Sequence, residues 1–571
     1  MSSGTVFGID LGTTNCAVAR SDGGPVEIQK IPQLTGPGEL REESLFPSSL
    51  YIHGPKEFPE GATALPWDEN PQYLTGEWAK RRGVENSSRL VHSAKSWLGH
   101  PGVDRTAPLL PLTAPDGVKK VSPLEASAAY LDHIRQSLGD LRNAQVILTV
   151  PASFDAAARS LTEEAARRAD IPNFVLLEEP QAAFYAWLER HENWRERVKP
   201  GDKILVIDIG GGTTDFTLIA VNEANGELTL ERVAVGEHIL LGGDNIDLAL
   251  ARTVEQELAA KNTKLDAIQL HMLWQRCRNA KEKLLSEGAA QPEEPVTILG
   301  RGTGLIGGTI KATLRRETLE QVLLSGFLPS VARDEQPAKA KRAALAEVGL
   351  PYASDPRITA HLARFVQQAG SPTHVLFNGG VLHARIVRQR ILETLNAWLP
   401  QPVQVLEGED LMHAVARGAA YYGLARQGKG IRIRGGVPRT YYVGIESSMP
   451  AVPGIPAPMK ALTVVPFGLE EGSSVELPKL EFGLLTGEPA EFRFFSSVSR
   501  HSDKPGDVLD PIPAEVEELS PIEVHLPAAP ERITRVTLAA DVTATGVLEL
   551  WCVGKNDNRW KLEFNVREQT Q

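Results

Sequence analysis

Cysteine is scarce in this chain. Its three cysteines, Cys16, Cys277 and Cys552, are odd in number and far apart in 571 residues. They fit neither a disulfide framework nor a zinc site, and a reducing compartment is expected. Long apolar runs are missing too: no stretch approaches the roughly twenty residues of a helical membrane span. The opening "MSSGTVFGID" has no basic start and no long apolar run before Asp10, so no secretory signal is read there. A cytoplasmic protein without a membrane partner is the expectation. Positive charge is in short supply, with a net charge of −12. That balance argues against nucleic acid as the main partner, because phosphate backbones need a basic face. His271, His374 and His413 lack the spacing of metal ligands. What is present is an ordinary globular composition, 42% hydrophobic and 23% charged. The chain is too long for one core, and length alone suggests roughly three or four domains.

The punctuation divides the chain. Up to residue 426, short apolar strands such as "AQVILTVPASF" and "THVLFNGGVL" alternate with helical stretches, an α/β pattern. One helix, "SPLEASAAYLDHIRQSL", opens with Ser122, Pro123 and Glu125, a capping box with proline at the first helical position. Residues 427–437, "QGKGIRIRGGV", read as a glycine-rich basic linker. From 438 to 571 the helical period disappears. Strand-like runs separated by Pro, Gly, Asp and Ser suggest a β-sandwich or barrel.

One short pattern occurs twice. "VFGIDLGTTNCAVA" begins at residue 6 and "ILVIDIGGGTTDFTLI" at residue 204. Each is an apolar strand ending in an acid, Asp10 or Asp208, then a glycine turn, then threonines, then a second strand. Glycines let backbone approach a polyphosphate closely, and the exposed N–H and hydroxyl groups donate to its oxygens. An acid at the turn mouth suits Mg²⁺, which keeps most of its waters. A single copy would read as an ordinary hairpin turn. Two copies, in the same order, point to one phosphate chain gripped from two halves of a duplicated fold.

These two segments resemble the phosphate motifs of the heat-shock protein 70 (DnaK-type) chaperones. Further segments resemble the family in the same order. They are "VHSAKSWLG", "VILTVPASFDAAARSLTEEAARRADI" with "LLEEPQAAFYAW", "LFNGGVLHARIVRQRI" and "AVARGAAYYGLA". The resemblance implies an actin-like nucleotide-binding domain over 1–426. Its lobe I covers about 1–200 and 373–426, and its lobe II about 201–372. A peptide-binding β-sandwich is implied over 438–571, expected to lack the family's helical lid because no helical pattern follows "WKLEFNV". It implies ATP and ADP as cofactors with Mg²⁺, and K⁺ as a companion cation. Asp10 and Asp208 would hold the hydrated metal. Gly12, Thr13, Thr14, Asn15, Gly210, Gly211, Gly212, Thr213, Thr214 and Asp215 would surround the phosphates. Lys95 would place its charge at the γ-phosphate, and Glu179 would orient the attacking water; Asp10, Asp208 and Thr213 complete the catalytic set. Lys281, Gly379 and Gly380 would flank the nucleoside, and Gly242 and Gly243 are further nucleotide-binding positions. Pro151 and Arg159 match the family's interdomain coupling positions. Glu178, lacking such a match, reads as a surface acid or one behind the site. The implied activity is ATP hydrolysis that modulates binding of unfolded or extended polypeptides. A regulatory or scaffold protein with one dedicated partner is the alternative, and a small-molecule kinase on the same fold is a third reading.

Departures from the family pattern are local. "GIRIRGG" replaces the usual acidic, leucine-rich linker. Glu282 stands where relatives stack an arginine on the base, and Met412 where an acid often sits. Val175 replaces an arginine that relatives use toward J-domain proteins, which with nucleotide-exchange factors are the partners the resemblance implies. The charged stretch at 327–365 reads as a solvated insertion. Two further motifs are set aside. "GTGLIG" at 302–307 has the dinucleotide spacing, but "GTIKATLRRE" follows it as a strand instead of opening a helix. "GLARQGKG" at 423–430 lacks the Ser or Thr of a P-loop and follows a helix. In the β region, Phe467, Phe482 and Phe494 are read as either pocket or core.

Overall fold

Two hairpins organise the α/β part of the chain. In the computed structural model, Val6–Asp10 pairs antiparallel with Asn15–Ser21, and Lys203–Ile209 pairs antiparallel with Thr214–Ala224. Residues 4–564 are described except 101, 225–226, 301–307, 339–349, 351, 409, 429–436, 438, 447–458, 471, 486–488, 520, 526–532, 544–546 and 555–557. Each hairpin gains a third antiparallel strand on one side, Glu27–Gln29 or Glu227–Val235. On the other side two parallel strands follow. They are Gln145–Val150 and Phe174–Glu178 in the first sheet, and His374–Asn378 and Gln404–Leu406 in the second. Over these five strands the two sheets repeat one another in order and direction, and Phe46–Pro47 adds a sixth strand to the first.

Parallel neighbours need crossovers, and helices supply them. Ala156–Arg168 joins the two parallel strands of the first sheet; Arg385–Trp398 does the same in the second. Pro123–Leu138 begins as its sequence predicts: the Ser122 hydroxyl accepts from the Glu125 N–H at 3.0 Å, and the Glu125 carboxylate accepts from the Ser122 N–H at 2.7 Å. The strands between these helices carry near-continuous buried runs, such as Val146, Ile147, Leu148 and Val150, as expected where both faces are covered.

Two expectations are corrected here. Residues 373–406 do not return to the first lobe, because His374–Asn378 pairs with Lys203–Ile209 and completes the second sheet. The return is made by the helix Ala414–Arg426 alone; its Ala416, Ala419 and Ala420 pack with Val6, Ala182 and Tyr185. The described parts of 327–365, which exclude 339–349 and 351, are also less solvated than an exposed insertion would be. Phe327, Leu328, Ile358, Leu362 and Phe365 enter the second lobe's core, and Arg357 ties Asp355 at 2.7 Å to Glu335 at 2.8 Å. An amphipathic helix, Ile358–Ala369, accounts for its last part.

Most of the linker, including 430–436, lies outside the described residues, as does the "GTGLIG" run apart from its flanks. Those flanks, Glu293–Leu299 and Thr309–Arg315, pair antiparallel. In the β region, one sheet includes Thr440–Glu446, Met459–Val465 and Phe494–Ser497. A second includes Ser474–Leu485, Ile533–Val542, Leu548–Val553 and Arg559–Phe564. Val443, Leu462 and Phe494 of the first meet Leu538, Leu550, Cys552 and Leu562 of the second in one core. Among the described residues no helix follows Arg426, and no helix is long and apolar enough to cross a membrane. Phe494 is core, stacked on Tyr441 at 5.4 Å; Phe482 packs at its edge, and Phe467 stacks on His501 at 3.9 Å. The β region meets the first lobe where Ala156 joins its core and Arg439 Nη2 donates to the Ser153 carbonyl at 3.1 Å.

Candidate functional site

The two glycine-threonine turns face one another across a cleft of about 900 Å³ between the lobes. Asp10, Gly12, Thr13, Thr14 and Asn15 line one wall, and Asp208, Gly210, Gly211 and Thr213 the other. Their approach is close: a Cβ on Gly211 would stand 1.9 Å from the Thr14 hydroxyl oxygen, so a larger residue there would have to displace Thr14. Gly379 enters the same wall at φ 93°, a left-handed conformation that glycine alone adopts readily. A Cβ there would lie 2.5 Å from a carboxylate oxygen of Asp208. The Asn378 side-chain amide donates to the other Asp208 oxygen at 2.7 Å.

Lys95 and Glu179 sit between these walls. Lys95 lies on the short helix Ala94–Leu98, and Glu179 opens the helix Glu179–Arg190. The Lys95 ammonium is ion-paired to the Glu179 carboxylate, and the lysine side chain is 6% exposed. Burial works against the ammonium, yet the Glu179 and Asp10 charges outweigh it and hold the Lys95 pKa above its ordinary value. Asp10 and Asp208 are both held above the ordinary carboxylate range. Burial pushes Asp10 up to about 7, with Glu179 adding and Lys95 opposing. Burial, then Glu179, pushes Asp208 up to about 7 against the Asn378 hydrogen bond. Buried carboxylates with too little positive charge are a donor set that fits a cation. Among the described residues no three His, Cys, Asp or Glu are gathered to hold a metal directly. Two carboxylates at the cleft wall suit Mg²⁺, which takes few protein ligands and keeps most of its waters.

Farther along the cleft, Gly243, Lys281, Glu282, Gly379, Gly380 and Met412 line the expected nucleoside end. Among the lining residues that the sequence did not single out are Asn378, Asp247 and Arg278. Asp247 binds Arg278 at 2.9 Å and Lys281 at 2.7 Å. The i, i+3 spacing of Arg278 and Lys281 puts them on one helix face, a signal that could have found the pair.

Other expected site residues stand behind the cleft wall. Gly212 and Gly242 do not line it. Thr214 is fully buried and donates to the Leu241 carbonyl at 2.7 Å. Asp215 accepts from Ser153, whose hydroxyl also meets His238 Nδ1 at 2.6 Å. The pleat accounts for Thr214, which turns away from the side that Thr213 faces; Asp215 pairs opposite Asp208 in the ladder, and its carboxylate is taken up by Ser153. Pro151 is buried below, and Arg159 donates to the carbonyls of Phe154 at 3.2 Å and Ala152 at 3.4 Å. Of the two readings of Glu178, the one that puts it behind the site agrees with its place here. It is no surface acid: it is 4% exposed and bound by Arg159 and Arg232.

The raised acids give a pH dependence. An acid whose folded pKa is raised keeps its proton in the folded chain after the unfolded chain has released it. Ligand-free stability therefore falls as pH rises from about 4 to about 7, by up to about 1.4 kcal/mol per pH unit for each proton. Thermal unfolding without nucleotide or Mg²⁺ should show a lower midpoint at pH 7.5 than at pH 5.5. A higher midpoint at pH 7.5 contradicts the charge balance described for Asp10 and Asp208.

Comparison with known proteins bears on the same segment. A family model described as Hsp70 protein matches residues 63–345. The chain is also similar to Chaperone protein DnaK of Stenotrophomonas maltophilia (strain R551-3), 26% identical over 314 residues. That alignment covers 52% of this chain and 44% of the relative, so the chain spans less than half of the curated protein it matches. Lys95, Glu179, Asp208 and Lys281 fall inside the family match; the first turn, Gly379 and the β region fall outside it.

Proposed function

We propose, for a chain whose residues 63–345 belong to the Hsp70 family, that it is an ATP-dependent chaperone of that type. The reading is that ATP binds between the lobes, is hydrolysed there, and sets the affinity of the β region for extended polypeptide. One observation carries it: two opposed glycine-threonine turns with the Lys95–Glu179 pair between them.

Phosphoryl transfer mostly needs positioning and neutralised charge. The turn amides and the Thr13, Thr14 and Thr213 hydroxyls would donate to phosphate oxygens. Lys95 would leave Glu179 for the γ-phosphate, and the freed carboxylate would then orient a water for in-line attack. Asp10 and Asp208 would hold Mg²⁺ through its waters, and when bound it would supply the remaining charge neutralisation. Lys281, Gly243, Gly379 and Gly380 would border the nucleoside, and Gly212, Thr214 and Asp215 would hold the second turn from behind. Pro151 and Arg159 would carry nucleotide state to the β region, whose two sheets we read as a sandwich that binds extended peptide by backbone pairing and apolar pockets.

The test is a titration of a labelled unfolded peptide in ATP and in ADP, using Glu179→Ala to stop turnover. An affinity difference of about fivefold or more is expected, the size of a typical coupling between sites. Equal affinities would sink the coupled cycle and favour a scaffold with a dedicated partner. A phosphorylated small molecule appearing with wild-type protein would favour a kinase.

A further inference from the structure

Glu178 and Glu179 are chain neighbours with different tasks. Glu178 ends the strand Phe174–Glu178, and Glu179 opens the following helix. Glu179 reaches into the cleft to Lys95. Glu178 does not line the cleft; each of its carboxylate oxygens is taken by a different arginine. Arg159, from the first-lobe helix Ala156–Arg168, donates Nη2 to Oε1 at 2.7 Å. Arg232, from the second-lobe strand Glu227–Val235, donates Nη1 to Oε2. The side chains of all three are at most 9% exposed.

Burying such a triad is a poor route to stability, since apolar side chains of similar volume serve as well. What the triad adds is geometry. Any rotation of one lobe against the other must move Arg232 relative to Arg159, and the carboxylate between them registers that motion. The backbone carrying it is bonded directly to Glu179. Arg159 also donates to the Ala152 and Phe154 carbonyls, flanking Ser153, whose own carbonyl accepts from Arg439 of the β region.

We propose that Glu178 is a positioning residue, through which the Arg232 contact across the lobes sets where the Glu179 carboxylate stands relative to Lys95 and Asp208. The inference rests on the reading that this cleft hydrolyses ATP. Lobe closure then fixes Glu179 for attack, and a lobe that turns away withdraws it. Glutamine at 178 keeps the shape but gives up the charge and turns an amide N–H₂ toward one guanidinium, so the clamp fails on that side.

The experiment uses the full chain, with steady-state turnover and the ATP dissociation constant measured separately. Glu178→Gln is expected to lower kcat by about tenfold to a hundredfold, the scale of a small misplacement near the chemistry. ATP affinity should stay within about threefold, because neither residue 178 nor 232 lines the cleft. Arg232→Met should reproduce the kcat loss, and Arg232→Lys should recover part of it. The double variant Glu178→Gln with Arg232→Met should lose no more than the single variants, the mark of one shared interaction. Should Glu178→Gln fail to fold, Arg232→Met carries the expectation, since it leaves the Arg159–Glu178 pair intact. Unchanged kcat in these variants, with an active wild type, overturns the inference alone. Equal losses of turnover and affinity overturn it as general damage. An inactive wild type overturns the ATPase reading and the inference with it.

Discussion

Lys95→Ala is expected to lower ATP turnover by about a hundredfold to a thousandfold, the scale on which a preorganised charge-stabilising group acts in a water-poor site. Lys95 is buried among Asp10, Glu179 and Asp208, and lowers the pKa of both aspartates. Its loss has two consequences that one assay each can read. The γ-phosphate loses its cation, so phosphate release under saturating Mg²⁺ and ATP slows. The aspartates also lose their opposing charge, so their pKa values rise further above the ordinary carboxylate range. The pH at which ligand-free stability stops falling then moves upward relative to wild type. Lys95→Arg restores the charge in a larger, forked group and should recover the pH profile better than the turnover. A Lys95→Ala protein that keeps more than about a third of wild-type turnover would remove Lys95 from the chemistry.

The second large effect concerns folding. Gly418 lies inside the helix Ala414–Arg426, where alanine would ordinarily gain about 1 kcal/mol of helix propensity. Here the sign reverses. A Cβ at 418 would stand 1.7 Å from the Ala182 carbonyl oxygen and 2.7 Å from the Ala186 amide nitrogen, both in the helix Glu179–Arg190. Neighbours of this kind are backbone and cannot swing aside, so the helices must separate. Overpacking typically costs about 1–3 kcal/mol and occasionally more; contact with rigid backbone puts Gly418→Ala at about 3 kcal/mol or above. Chemical denaturation should show a lower midpoint, and turnover should fall as well, because the displaced helix begins with Glu179. A midpoint equal to or above wild type would mean that the two helices can part without cost.

These two residues mark how far the sequence could be read. Lys95 was legible because its setting, "VHSAKSWLG", lies in one local segment, and the acid-glycine-threonine turns are likewise contiguous. The Ser122 capping box was legible for the same reason. Gly418 was not, since nothing in "AVARGAAYYGLA" says that a second helix crosses at that residue. The pleat escaped as well: Thr213 and Thr214 look alike in the sequence, but one faces the cleft and the other is buried against Leu241. Glu178 read as a surface acid or one behind the site, and the sequence could not choose, because a buried carboxylate needs partners. Its partners, Arg159 and Arg232, stand 19 and 54 residues away, and the latter is in the other lobe.

By itself the sequence determined the duplicated strand-turn-strand units, the alternation of helix and strand up to Arg426, and the acids, threonines and lysine available for phosphate chemistry. All of these follow from local periodicity and turn requirements. Only the tertiary structure decided that His374–Asn378 joins the second sheet, that Thr214 and Asp215 stand behind the cleft, and that Glu178 is clamped between lobes. Strand pairing and buried charge are settled by long-range packing, which no local pattern encodes.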